Sequence, residues 1–243
     1  MVDSMKIVTL LTDFGDYYAA QLKGVLSGSS AMIIDITHSI RPHRNSVLVG
    51  AYILRNAANK FPKGTVHLAV VDPGVGSKHA PIAIRTKNYW FVGPDNGLLA
   101  PAAESDGIKG IFSINLPAKS RTFHGKDIFA PATLGILKGK KKFLQKTKDY
   151  YMQLDMSRKA FVNRFGNIEL PISEEIMSVN GRTINNYSIY SDADFREVFS
   201  VLDSRGLREL ASREGDAARK FGSKLVVKTK IRVYKFDVVR LGV

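Results

Sequence analysis

Cysteine is absent from this chain of 243 residues, and no apolar stretch reaches the roughly 18 residues that a membrane-spanning helix needs. Thiolate nucleophiles and cysteine-ligated metals are therefore excluded. The first residues, 1–6, lack the basic, apolar and small-residue segments of a secretory signal. We expect a cytoplasmic protein with no membrane partner.

Acidic residues are scarce, at 22 Asp and Glu against 36 Lys and Arg, which gives a net charge of +14. Such a balance often indicates nucleic-acid binding. Here, however, six of the lysines fall within residues 138–148, and a lysine run is most often a solvated surface. Nucleic acid is therefore an unlikely partner, although a basic nucleic-acid-binding module stays an alternative.

Several signatures of common chemistries are also missing. The five histidines show no HExxH spacing, so we expect no metal site. There is no GxSxG segment that would position a serine nucleophile, and no GxGxxG segment that would bind a dinucleotide.

Short apolar runs alternate with helical spacing in the first part of the chain. The pattern predicts strands over residues 6–12, 32–37 and 65–71, and helices over residues 17–26 and 45–60. In the first helix, Tyr18, Leu22 and Val25 fall at spacings of four and three, which places them on one face. Strands alternating with helices favour a parallel sheet with right-handed crossovers.

The pattern changes further along the chain. It predicts a strand pair at 81–86 and 89–93, a helix at 98–104, a strand at 111–114 and a helix at 127–137. Short or alternating apolar runs follow at 161–170, 176–179, 187–190, 197–202 and 225–239. We therefore predict an α/β domain over residues 1–151 and a β-rich domain over residues 152–243.

Candidate chemistry follows the predicted strands, because open α/β sheets bind ligands at the carboxyl ends of their strands. Asp13 follows the first strand and could also act as a helix cap. Asp72 follows the third strand, within a glycine-rich loop. His124 precedes the last predicted helix and could pair with a carboxylate such as Asp72 to hold a water molecule. Residues 93–97 are predicted as a simple turn.

Together these segments resemble the S-adenosylmethionine (SAM) hydrolases that form adenosine, also called SAM hydroxide adenosyltransferases, which are related to fluorinases and chlorinases. The matching segments are LLTDFG at 10–15, QLKGV at 21–25, VVDPGVGS at 70–77, GPDNGLL at 93–99, TFHGKDIFAPA at 122–132, FGN at 165–167 and DSRGLRELA at 203–211. They span most of the chain in the family's order.

The resemblance implies an N-terminal, Rossmann-like three-layer domain with a mostly parallel sheet that binds SAM, followed by a C-terminal β-barrel. It also implies a homotrimer with active sites between subunits. The implied reaction is attack of activated water at ribose C5′ of SAM, which gives adenosine and L-methionine. SAM is the substrate, and no cofactor is implied.

The resemblance also implies roles for particular residues. Asp13 would hold the ribose hydroxyls, and Asp72, His79 and His124 would activate the water, with Gly125 next to the substrate. The residues implied for the methionine and adenine ends, supplied by a neighbouring subunit, are Phe165, Asn167, Ser204 and Arg205.

Three places depart from the family pattern. His79 stands where relatives have arginine, with Lys78 next to it as an alternative cation, Asn163 stands where relatives often have aspartate, and Leu170 and Pro171 stand where Thr-Asn is common. A guanidinium is permanently charged and a histidine is not. Two alternatives to hydrolysis therefore stay open: a halide-dependent SAM halogenase, and a SAM- or nucleoside-binding protein without turnover.

Overall fold

The computed structural model describes residues 5–73, 79–118, 120, 123–149 and 151–242. The chain divides into two compact units, residues 1–154 and 155–243. Each unit has its own sheet and is described by itself.

The first unit is a mixed α/β unit. Its elements are β1 (Ile7–Thr12), α1 (Gly15–Leu26), β2 (Met32–Thr37), α2 (Ser46–Ala58), β3 (Val66–Val70), β4 (Pro81–Thr86), β5 (Trp90–Pro94), α3 (Ala100–Asp106), β6 (Ile108–Ile114), a π-helical turn (Gly125–Phe129), α4 (Ala130–Leu137) and β7 (Leu144–Lys146). The predicted strands and helices of this unit are thus all present.

The strands form one sheet in the order β2-β1-β3-β5-β4-β6-β7. β1 pairs in parallel with β2 and β3, and β3 pairs in parallel with β5. The pairings of β4 with β5 and β6, and of β6 with β7, are antiparallel. The parallel pairings are therefore confirmed, and within the described residues the sheet is mixed, because β4 and β7 run opposite to the other strands.

All six residues of β1 are buried, as expected for a strand covered on both faces. On one face, Val8 and Leu10 join a core cluster with Leu22 of α1 and with apolar residues of α4. Tyr18, which the spacing places on the same helix face as Leu22, is 46% exposed. α1 buries Ala19, Leu22 and Leu26 instead, so Tyr18 lies at the edge of the apolar face.

The second unit consists mainly of short strands. They are β8 (Lys159–Val162), β9 (Ile168–Glu169), β10 (Ile176–Val179), β11 (Arg182–Thr183), β12 (Asn185–Asn186), β13 (Val198–Leu202), β14 (Arg208–Ser212), β15 (Lys224–Thr229) and β16 (Val233–Arg240). Their order is β11-β10-β15-β16-β8-β9-β14-β13-β12.

This second sheet is barrel-like and nearly closed. At its open seam, the side chain of Asn186 in β12 donates a hydrogen bond to the carbonyl of Ile176 in β10 (2.8 Å) and accepts one from its N–H group (3.0 Å). A side-chain amide thus satisfies backbone groups that a strand ladder would otherwise pair.

Not every apolar run of this unit forms a single strand. The run at 161–170 is a hairpin, in which Gly166 has a φ of +80° in the turn between β8 and β9. The run at 187–190 is not a strand and leads into a 3₁₀ turn, Tyr190–Asp192. Its tyrosines are anchored through their hydroxyls, since Tyr187 bonds Glu197 and Tyr190 bonds Glu209.

In the part of the chain that the structure describes, no helix has the length and apolar character needed to cross a bilayer.

Candidate functional site

A pocket of about 310 Å³ opens at the carboxyl ends of β1 and β3. The parallel register pairs Thr12 with Val70, so the residues that follow the two strands emerge side by side. The pocket is lined by Asp13, Phe14, Tyr18, Val70, Asp72, Phe123, His124, Gly125 and Phe129. Four of the predicted site residues, Asp13, Asp72, His124 and Gly125, therefore line one cavity.

Asp13 lies in the loop between β1 and α1. Burial raises the pKa of its carboxyl group to about 6, and the negative charge of Asp72 adds to this, while hydrogen bonds from the backbone N–H groups of Asp13 and Asp72 oppose it. The alternative role of Asp13 as a helix cap is not what the structure shows, because the N-cap of α1 is Phe14, with no side-chain cap bond.

Asp72 contacts the histidine predicted to act with it. His79 Nδ1 lies 3.0 Å from Asp72 Oδ1, and the side chains are 31% and 11% exposed, respectively. Asp72 thus lines the cavity and also contacts His79, whose imidazole can orient the carboxylate. Lys78, the alternative cation, lies outside the described residues.

His124 precedes the π-helical turn Gly125–Phe129, which leads directly into α4. Such turns occur frequently at functional sites. A Cβ on Gly125 would lie 3.1 Å from the ring of Phe123 and 3.5 Å from that of Phe14. Glycine therefore lets this turn approach two rings of the pocket closely.

Aromatic rings form much of the pocket wall. Phe14 and Tyr18 each meet Phe123 edge to face, with ring centroids 5.4 Å apart. Lys126 Nζ lies 5.7 Å from the centroid of Phe123. Aromatic faces and carboxylates both attract cations, so the pocket suits a ligand that carries a positive charge.

Sequence reasoning missed these rings as site residues. The spacing placed Tyr18 only on a helix face, and Phe14 and Phe123 carried no role of their own within the segments TDFG and TFHG. The signal that could have found them is their position, because Phe14 and Phe123 directly adjoin the candidate residues Asp13 and His124.

Sequence reasoning also missed Asn96, within the segment predicted as a simple turn. This residue is only 7% exposed. Its Nδ2 donates to the carbonyl of Val71 (2.8 Å), and its Oδ1 accepts from the N–H of Leu98 (3.1 Å). Asn96 therefore holds the backbone immediately before Asp72.

The other predicted site residues lie in the second unit. Asn167 donates to Glu209 Oε1 (2.9 Å), and Arg205 pairs with Glu169 (2.5 Å) and with Asp203. Ser204 is an exposed neighbour of Arg205 in the turn after β13, and Phe165 is 71% exposed in the β8–β9 turn.

Asn163 links these residues into one hydrogen-bonded cluster. Its Nδ2 lies 3.3 Å from both Glu169 and Glu209, and its Oδ1 accepts from the backbone N–H groups of Phe165 and Asn167. An aspartate could not donate to the two glutamates.

Fold and pocket define the class of this protein: an α/β protein with an acidic, aromatic-lined ligand pocket at the carboxyl ends of parallel strands. The sequence model of the SAM hydroxide adenosyltransferase N-terminal domain matches residues 8–145. That is more than half of the chain, so the chain belongs to the SAM hydroxide adenosyltransferase family.

Individual relatives agree with this assignment. A protein named (R)-S-adenosyl-L-methionine hydrolase from Methanocaldococcus jannaschii is 39% identical over 186 residues, covering 71% of this chain and 69% of the relative. A protein of the same name from Thermus thermophilus is 30% identical over 251 residues, covering 90% and 97%. The crystal structure of an uncharacterized conserved protein from Thermotoga maritima superposes with a TM-score of 0.76 at 32% identity, covering 88% and 95%.

Proposed function

We propose that this protein hydrolyses S-adenosyl-L-methionine to adenosine and L-methionine. The observation that carries the proposal is the pocket in which Asp13 and Asp72 adjoin the rings of Phe14, Tyr18 and Phe123. A sulfonium ion is a cation attached to apolar groups, which carboxylates and aromatic rings both attract. The names of the relatives support the same substrate and specify its (R) form.

In the proposed reaction, the oxygen of water attacks ribose C5′ and forms a C–O bond while the C5′–S bond breaks. The sulfonium sulfur takes the bonding electron pair and leaves as the neutral thioether of methionine. The leaving group therefore needs no general acid. One proton is released from the water, so the protein must orient this nucleophile and accept its proton.

Asp72 and His124 are the residues proposed to orient the water and to accept its proton. Both line the cavity, and His79, which is outside the lining, contacts the carboxylate of Asp72. His79 therefore acts on the water through Asp72. Asp13, with two acceptor oxygens, holds the vicinal hydroxyls of the ribose, and Gly125 leaves room for the substrate.

The remaining features of the proposal concern the whole assembly. Phe165, Asn167, Ser204 and Arg205 bind the methionine and adenine ends of SAM from a neighbouring subunit of a homotrimer. The arginine can pair with the carboxylate of methionine. The proposal further includes a Rossmann-like three-layer first domain, a closed β-barrel second domain, a cytoplasmic location and no cofactor.

The test is incubation of purified protein with the separated (R) and (S) sulfonium epimers of SAM in halide-free buffer, with adenosine and methionine followed by chromatography. We expect equimolar products from the (R) epimer, and at least a 100-fold lower rate for Asp72→Asn and His124→Ala. His43→Ala, which replaces an exposed histidine, is the matched control and keeps the wild-type rate.

Other outcomes would contradict the proposal. Formation of 5′-chloro-5′-deoxyadenosine on addition of chloride, with no adenosine in its absence, would identify a halogenase. Binding of SAM without turnover of either epimer would identify a binding protein.

A further inference from the structure

The loop that carries Asp13 has little local support. It runs from the end of β1 to Gly15, whose φ of +75° lies in the left-handed region that favours glycine. α1 begins without a side-chain cap at Phe14. The carboxylate of Asp13 accepts hydrogen bonds from the backbone N–H groups of Asp13 and Asp72, and further support for the loop itself comes from another part of the fold.

His38, the residue after β2, bonds the chain on both sides of Asp13. Its Nδ1 lies 2.7 Å from the hydroxyl oxygen of Thr12, and its main-chain carbonyl accepts the N–H of Gly15 at 3.0 Å. His38 is 6% exposed and Thr12 is fully buried. Neither side chain lines the pocket, so any effect on substrate must pass through Asp13.

The imidazole of His38 is in turn held from its other side. Its Nε2 lies 3.1 Å from Oδ1 of Asp35, and Oδ2 of Asp35 accepts a hydrogen bond from Lys23 of α1. A carboxylate can only accept, so its position favours a proton on Nε2 and leaves Nδ1 to accept from the hydroxyl of Thr12. A chain of close contacts thus runs from Lys23 through Asp35 and His38 to Thr12.

We propose that His38 is a positioning residue that holds the Asp13 loop through Thr12 and Gly15, with Asp35 and Lys23 setting the orientation of its ring. The kinetic consequence rests on the proposed function, in which Asp13 binds the ribose of SAM. A carboxylate displaced by about 1 Å binds a vicinal diol much more weakly.

The chain contains a matched control for this interaction. Thr9, on the opposite face of β1, hydrogen-bonds Nδ1 of His67 at 2.8 Å, and both side chains are fully buried. Both sites thus have a buried hydrogen bond between a threonine and a histidine. Neither Thr9 nor His67 lines the pocket, and neither is next to a pocket residue along the chain. Thr9→Val therefore costs a comparable buried hydrogen bond without releasing Asp13.

The experiment compares Thr12→Val, Thr12→Ser and Thr9→Val. We expect Thr12→Val to lower kcat/KM for SAM by about 10- to 100-fold, mainly through a higher KM, because Asp13 binds substrate already in the ground state. Thr12→Ser keeps the hydroxyl and stays within about threefold of wild type, as does Thr9→Val. Equal losses in Thr12→Val and Thr9→Val, or no rescue by serine, would overturn the proposal.

A second readout does not depend on the reaction. In the protein without ligand, amide hydrogen exchange at Gly15 is expected to become at least about 10-fold faster in Thr12→Val and to stay unchanged in Thr9→Val. Unchanged exchange at Gly15 in Thr12→Val would overturn the inference. If the wild-type protein turned over neither epimer, the proposed function would fall and the exchange rates alone would decide on His38.

Asp35→Asn, at an exposed position, is the second variant if Thr12→Val does not fold. It weakens the hold on His38 and is expected to raise KM about threefold with the same sign of change at Gly15. If neither KM nor amide exchange at Gly15 changes in Asp35→Asn, the proposed chain of contacts is wrong.

Discussion

Asp13 is a single residue whose burial has opposite consequences for stability and for function. Its pKa of about 6 lies above the value of 3.8 that it has in an unfolded chain. Between these values the folded state binds more protons, so stability declines as the pH rises through this window and the cost is fully present above about pH 6. The folded protein would be more stable with this carboxyl group uncharged, but the site keeps the charge.

We expect Asp13→Asn to raise the free energy of unfolding by about 1–2 kcal/mol at pH 7.5, after allowance for partial solvent exposure, and to abolish hydrolysis. Urea denaturation measures the difference, which should shrink at pH 4.5, where folded Asp13 is already protonated. A variant that is less stable than wild type at pH 7.5 would contradict this account of Asp13.

Asn163 is a second residue whose chemistry the surrounding charges explain. Burial raises the pKa of Glu209, and the nearby charges of Glu169 and Asp203 add to this effect. The amide of Asn163 donates to two of these carboxylates, Glu169 and Glu209. A further carboxylate here would remove two donors and add repulsion.

We expect Asn163→Asp to lower the free energy of unfolding by about 1–3 kcal/mol at pH 7.5 and by less at pH 5, where carboxyl groups begin to take up protons. Asn185→Asp is the control, because Asn185 is exposed and donates to a single glutamate, Glu197. Equal losses in the two variants, measured by urea denaturation, would argue against the cluster.

At the scale of secondary-structure elements, the ends of β3 and β5 are tied together by Asn96, which bonds the carbonyl of Val71. The N–H of Asp95 likewise bonds the carbonyl of Ala80, the neighbour of His79. The turn after β5 therefore supports the backbone next to both members of the Asp72–His79 pair.

We expect Asn96→Ala to lower the free energy of unfolding by about 1–3 kcal/mol, since the carbonyl of Val71 and the N–H of Leu98 lose their partner. Because Asp72 is adjacent, kcat/KM for SAM should fall at least 10-fold under conditions in which the variant is fully folded. Asn115→Ala, at an exposed asparagine, should change neither quantity. A stability loss with unchanged kcat/KM would show that the turn does not position Asp72.

Across the whole molecule, the dependence of stability on pH combines contributions of opposite sign. His67 is fully buried, stacked on Phe91 with ring centroids 4.9 Å apart, and burial lowers its pKa to about 3. An unfolded histidine takes up a proton near pH 6.5, so the contribution of His67 to stability is complete above that pH and is lost as the pH falls. Asp13 changes stability in the other direction over part of the same range.

Because of His67, we expect the free energy of unfolding to fall by about 2 kcal/mol as the pH is lowered from 6.5 to 5. The double variant Thr9→Val/His67→Leu removes both hydrogen-bonding partners and should lose most of this slope when urea denaturation is repeated across the range. An unchanged slope would mean that His67 is protonated in the folded protein.

Much of the first unit could be predicted because its signals are local. The runs that form β1, β2 and β3 are short and mainly apolar, and α2 shows helical spacing over its whole length. The same reasoning failed where a side chain's role depends on distant partners. Tyr18 has helical spacing with Leu22 but faces the pocket, and the run at 187–190 is fixed by tyrosine hydroxyls rather than by strand pairing.

Apolar spacing and side-chain identity are local properties, so the amino-acid sequence is sufficient to predict which segments form strands and helices and which residue types are available for chemistry. Which of those residues meet depends on the tertiary structure. Asp13 and Asp72 are 59 positions apart, and they adjoin because β1 and β3 pair in parallel with Thr12 opposite Val70. The hold of His38 on Thr12 and that of Asn96 on Val71 likewise depend on which chain segments lie side by side. The spacing of side chains along one strand does not indicate which segment lies beside that strand, so these contacts could be found only in the folded structure.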